Sequence, residues 1–128
     1  MSRDKGNRAA AWVADYLTAW WPHAEKTPNG RPGADILGTP GVAFEIKTGA
    51  AWRHEWLGQV ARYAAHTCDP GQPEIPCAGF ASLPVVVYLP PGTGEKNVQH
   101  AQAVIPLHVL MHVLTEAGYT PQRQETTS

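Results

Sequence analysis

Apolar residues fall into two periods along this chain, and the changes of period mark its elements. Between Asp4 and Trp21, the side chains Ala9, Trp12, Val13, Tyr16, Leu17 and Trp20 recur at helical spacing, with Asp4 placed to cap and Pro22 to end the run. This predicts a first helix. Residues Pro22 to Gly33 are rich in turn formers, with a short strand expected within His23 to Lys26. Ala34 to Leu37 and Val42 to Thr48 flank Gly38-Thr39-Pro40-Gly41 and read as a β-hairpin. Alternation along the second strand turns Val42, Phe44 and Ile46 toward a core and Ala43, Glu45 and Lys47 the other way, onto a charged face.

Helical spacing returns over Trp52 to His66, with Leu57, Val60, Ala61 and Ala64 on one stripe and Trp52, Trp56, Gln59 and Tyr63 on the next. Thr67 to Ser82 has no period and reads as a long loop. The run Val85-Val86-Val87-Tyr88 within Leu83 to Leu89 is that of a strand buried on both faces. Pro91 to Lys96 reads as a hairpin tip and Ala101 to Ile105 as a strand. Pro106 to Ala117 reads as a closing helix that stops near Gly118. The order α-β-β-α-β-β-α predicts a single α/β domain over residues 1–119, followed by a polar tail over 120–128. In it the hairpin lies at the middle of a mixed central sheet, helices flank that sheet and the closing helix is at an edge.

A chain of 128 residues, 43% hydrophobic, supports one modest core and excludes a second domain. Its net charge of -1 excludes a scaffold that coats nucleic acid by charge alone. The charge is uneven, however: residues 1–64 carry +2 and residues 65–128 carry -3. The candidate phosphate contacts Arg3, Lys5, Arg8, Lys26, Arg31, Arg53 and Arg62 all lie in the amino-terminal half, where the competing reading of each is a solvated surface charge. Cys68 and Cys77 read as plain thiols in a loop, with a disulfide as the alternative. The longest apolar runs, such as Pro84 to Pro91, are far short of the roughly 20 residues of a membrane span, so a soluble, cytoplasmic protein is expected. His108 and His112 lack an acidic partner for zinc. Pro91-Gly92-Thr93-Gly94-Glu95-Lys96 lacks the spacing of a phosphate loop. The five tryptophans are expected to pack rather than to stack on bases.

The chemistry concentrates in Asp35 and, ten residues later, Glu45-Ile46-Lys47. Two carboxylates on neighbouring strands suit a hard divalent cation, and the Ile46 carbonyl offers a third oxygen. Lys47 shares a face with Glu45, where its ammonium would orient or help deprotonate a water and balance phosphate charge. Register decides whether the carboxylates meet. A regular four-residue loop pairs Asp35 with Phe44 and turns Asp35 to the core, whereas a three- or five-residue loop, or a bulge, pairs it with Glu45. The second arrangement is the one expected, against the alternative of unrelated solvated charges.

These residues resemble the PD-(D/E)xK nuclease superfamily and, within it, the Holliday-junction-resolvase-like branch that includes small archaeal and phage enzymes. The likeness runs from residue 4 to about 112. It rests on Lys5-Gly6, Gly33-Ala34-Asp35-Ile36, Pro40-Gly41-Val42, Phe44-Glu45-Ile46-Lys47 and the junction Val104-Ile105-Pro106-Leu107. The resemblance implies a restriction-endonuclease-like fold and a DNA endonuclease that cuts branched DNA as a homodimer, in recombination, repair or phage DNA processing. It implies Mg²⁺, with Mn²⁺ as a substitute, on Asp35 and Glu45, and a Lys47 that assists the attacking water. Gln59-Val60-Ala61-Arg62-Tyr63 is similar to a Gln-x-x-x-Tyr element of related nucleases, which would bring Gln59 near the metal or the scissile phosphate. The family's opening helix usually carries a Glu four residues after Lys-Gly; here that position is Ala10. The departure implies a single-metal site, or alternatively a degenerate nuclease fold that binds DNA or protein without cutting.

Overall fold

The computed structural model describes residues 2–28, 34–59 and 83–121, the first four of these by backbone only. Helix α1 (Ser2–Leu17) buries Ala9, Ala10, Val13 and Ala14, small side chains that let the helix lie close against the sheet. It ends earlier than the apolar spacing predicts. Thr18 donates from both its N–H and its Oγ1 to the Asp15 carbonyl, and the N–H groups of Trp20 and Trp21 both turn back to Leu17. The last apolar positions are therefore turn residues, and Trp20 is exposed against the edge of Tyr16.

Strand β1 (Glu25–Lys26) pairs antiparallel with β2 (Ile36–Leu37), Lys26 opposite Ile36. Strand β3 (Val42–Thr48) leads to a helical segment over residues 55–59 (α2). Strand β4 (Leu83–Leu89), a 3-10 helix (Glu95–His100), β5 (Gln102–Val104) and α3 (Leu107–Glu116) complete the order. The result is a small mixed α/β domain with two sheets, β1-β2 and β3-β4-β5. Strand β4 runs parallel to β3, with Ile46 opposite Val87, and antiparallel to β5, with Val86 opposite Val104.

The expected hairpin is not a ladder. β2 pairs with β1 and β3 with β4, so among the described strands β3 is an edge strand and β4, not the hairpin, holds the middle of the sheet. Among the described residues, one backbone bond links the two segments, from the Asp35 N–H to the Phe44 carbonyl (2.9 Å). Two residues farther on, the Ile46 N–H, which would continue a ladder, donates instead to the Asp35 carboxylate at 2.8 Å. The side chain has displaced a backbone acceptor and stopped the pairing.

Both faces of β3 are covered, so the expected solvated, charged face is absent. Phe44 and Ile46 join α1, Ile36 and Leu89 in one cluster, and Ala43 joins Trp56, Val86 and Tyr88 in another. Trp52, Trp56 and Tyr88 meet ring to ring at 5.1 to 5.9 Å over this second face, and Trp21 packs edge-on against Phe44. Strand β4 packs on both sides, as its apolar run predicts. The stretch expected as a hairpin tip instead turns at Gly92 and enters the 3-10 helix, whose Val98 is buried against the α1 cluster. The closing helix starts after Pro106 and ends before Gly118, whose φ of 89° is the left-handed stop the sequence suggests. No helix among the described residues is long and apolar enough to cross a membrane. Cys68, Cys77, the 67–82 loop, the rest of helix two, Arg31 and Arg62 lie outside the described residues.

Gly38 fixes the exit from β2. Its φ is 80°, and a Cβ there would stand against the His23 carbonyl, whereas Gly41 (φ 95°) has open space around it. Gly38→Ala is expected to cost about 3 kcal/mol in urea unfolding, through strain plus collision, and Gly41→Ala about 1 kcal/mol through strain alone. Equal losses in the two variants would show that the approach to His23 does not matter.

Candidate active site

Asp35 is held by its backbone on both sides. Its N–H bonds Phe44, its carbonyl accepts from the Thr27 N–H at 2.9 Å, and the Thr27 Oγ1 donates to the preceding Ala34 carbonyl at 2.7 Å. The carboxylate is thereby aimed at the edge of β3 that does not face β4, where one oxygen takes the Ile46 N–H and the group lies within hydrogen-bonding reach of Glu45. A residue's N–H and C=O leave an extended strand on the same side, so the Ile46 carbonyl also faces this edge.

Glu45 is buried, with only 6% of its surface exposed. Its Oε2 lies 3.3 Å from the Lys47 Nζ, and its Oε1 is buried without a hydrogen-bond partner. Lys47 is itself steadied by the Trp56 ring, 5.8 Å from its centroid. Burial, then the neighbouring Asp35 charge, push the Glu45 carboxyl up to about 7, with Lys47 opposing. Burial also raises Asp35, against the Ile46 N–H and Lys47. When both acids are ionised, no protein donor reaches Oε1. A proton shared with Asp35 relieves this, and so does a cation.

The pair opens into a cleft of about 300 Å³. Among the described residues, Asp35, Glu45, Ile46 and Lys47 line it from one part of the chain, and Gly6, Asn7 and Ala10 of α1 with Lys26 and Thr27 line it from another. Among the described residues no group of three or more His, Cys, Asp or Glu side chains gathers, so two carboxylates are the acidic set here. The Asp35 and Glu45 carboxylates, with the Ile46 carbonyl, present an all-oxygen donor set that fits a hard divalent cation completed by water.

The remaining candidates are scattered. Lys26 lines the cleft, Arg8 is exposed on α1, and Arg53 is exposed and paired with Glu55 at 3.6 Å. Arg3 and Lys5 lie on the first turn and a half of α1. Gln59, half-buried on α2, is not among the described residues lining the cleft. Ala10, singled out for the carboxylate it lacks, does line it. Asn7 and Thr27 were not anticipated; the signal for Asn7 is its place three residues before Ala10, on the same helix face. Comparison of the chain with protein-family models, curated proteins and solved structures returns no match.

Proposed function

We propose that this protein is a divalent-metal-dependent DNA endonuclease of restriction-endonuclease-like fold, acting in the cytoplasm on branched, Holliday-junction-like DNA as a homodimer. The observation that carries the reading is the buried, partnerless Glu45 Oε1 beside Asp35, at the mouth of a cleft that also holds Lys47. Branched substrate and dimer follow from the resemblance of the Asp35, Glu45-Ile46-Lys47 motif. Asp35, Glu45 and the Ile46 carbonyl would hold Mg²⁺ or Mn²⁺. Such an ion, when bound, supplies charge stabilisation at a phosphoryl oxygen and a more acidic water. Lys47 would orient an attacking water or help take its proton, and would balance charge at the scissile phosphate. Arg3, Lys5, Arg8, Lys26, Arg31, Arg53 and Arg62 would hold flanking phosphates, and Gln59 would be a supporting residue.

Ala10 on the cleft wall favours a second reading, a degenerate relative that binds nucleic acid or protein without cutting. Labelled four-way junction, flap and linear duplex, incubated with Mg²⁺, Mn²⁺ or EDTA, separate the two. The wild type is expected to cut the junction only with metal, and Asp35→Asn to bind it without cutting. Junction binding by well-folded wild type with no cleavage under any condition would leave the binding module.

A further inference from the structure

The cleft presents two kinds of chemistry. Asp35, Glu45 and Ile46 offer oxygen acceptors, whereas Asn7 and Lys26 bring N–H donors, and neither of these two side chains makes a hydrogen bond or ion pair among the described residues. Both are half-buried. Thr27, the other polar side chain on this side, is already committed to the Ala34 carbonyl. Among the described residues, two carboxylates and two lysines make the lining formally neutral. One divalent cation would leave it at +2, a charge that anionic phosphodiesters balance and that water alone screens weakly in a recessed cleft. Alanine at position 10, instead of a third acid, leaves that balance among the described residues even.

We propose that Asn7 and Lys26 are the phosphate-binding half of this cleft, and that cation and phosphodiester strand load it together, each raising the affinity for the other. The inference rests on reading Asp35 and Glu45 as the cation site. Coupling of this kind is reciprocal, so it is measurable from either ligand.

The test follows Mn²⁺ by its paramagnetic resonance signal, with and without a cleavage-resistant phosphorothioate duplex, and duplex binding across a salt series. Duplex is expected to tighten Mn²⁺ binding to the wild type by about tenfold. Lys26→Met should weaken duplex binding and lower the salt slope by about 1. Lys26→Arg should keep the wild-type slope. Asn7→Ala should weaken duplex binding with the slope unchanged, since the amide is neutral. Melting temperatures of all variants check that each is folded. Mn²⁺ affinity indifferent to duplex, or duplex binding by folded Lys26→Met and Asn7→Ala at wild-type strength, overturns the proposal. If Asp35→Asn abolishes Mn²⁺ binding in that same series, the cation site stands and the phosphate half alone falls. If Asp35→Asn binds Mn²⁺ as the wild type does, the reading beneath both falls.

Discussion

Lys47→Ala is expected to slow single-turnover cleavage of a junction with saturating Mn²⁺ by about 10³-fold, the middle of the range for a positioned proton-transfer group. Lys47 is held from two sides, by the Glu45 Oε2 at 3.3 Å and by the Trp56 ring beneath its Nζ, so its ammonium is placed before substrate arrives. Lys26 shares the cleft but pairs with neither carboxylate among the described residues, and is not positioned to replace it. The substitution has a second consequence. Lys47 is the group that opposes the rise of the Glu45 pKa, so removing it pushes that carboxyl above about 7 and weakens cation binding near neutral pH. Lys47→Arg separates the two effects. A guanidinium keeps the charge next to Glu45 but does not give up its proton, so Mn²⁺ binding should persist while cleavage is lost. Cleavage by Lys47→Ala within about tenfold of wild type would remove Lys47 from the proton-transfer role.

How much of this was legible beforehand depends on which interaction decides each element. The unbroken run Val85 to Tyr88 marks a strand covered on both faces, and β4 is that strand. Period also located α1, but the competition at its end, where Thr18 and two tryptophan N–H groups close onto Asp15 and Leu17, leaves no trace in apolar spacing. The hairpin differs from its strand pattern for a related reason. Ala34 to Leu37 and Val42 to Thr48 have strand patterns, yet what ends their pairing is a carboxylate that accepts the Ile46 N–H, and alternation does not distinguish a ladder carbonyl from a side chain. That same bond brings the two acids together by a route other than either register considered. Asp35 meets Phe44 through its backbone, as the four-residue loop implied, while its side chain reaches along the edge toward Ile46 and Glu45. That this face of β3 is covered is hidden in the sequence, because Trp52 and Trp56 close over Ala43, a tertiary contact absent from the strand's own pattern. The 3-10 helix was invisible for want of periodicity, since Val98 is its one buried residue.

Without metal, the wild type is expected to lose stability as pH rises from about 4.5 through 7, by roughly 3 kcal/mol, equivalent to a melting point lower by about 10 °C. The sign follows from the direction of the shift. Glu45 ordinarily ionises near 4.5 and here near 7, so between those values the folded chain holds a proton that the unfolded chain has released. The stabilisation is full below the unfolded value and is lost as pH rises through the folded one. Asp35, raised by its own burial, acts in the same direction. A divalent cation selects the ionised pair and reverses the loss, by about 2.7 kcal/mol at a hundred times its dissociation constant. Wild type with Mn²⁺ should therefore show a nearly level profile over this range. Glu45→Gln removes the titrating group while keeping the side chain's size. It should be more stable than metal-free wild type at pH 8, show a shallower slope and gain nothing from Mn²⁺. Melting curves at half-unit steps of pH, with Mn²⁺ or with EDTA, give all four profiles. A level metal-free wild-type profile would mean that Glu45 is satisfied without a cation, and the buried Oε1 would then no longer argue for one.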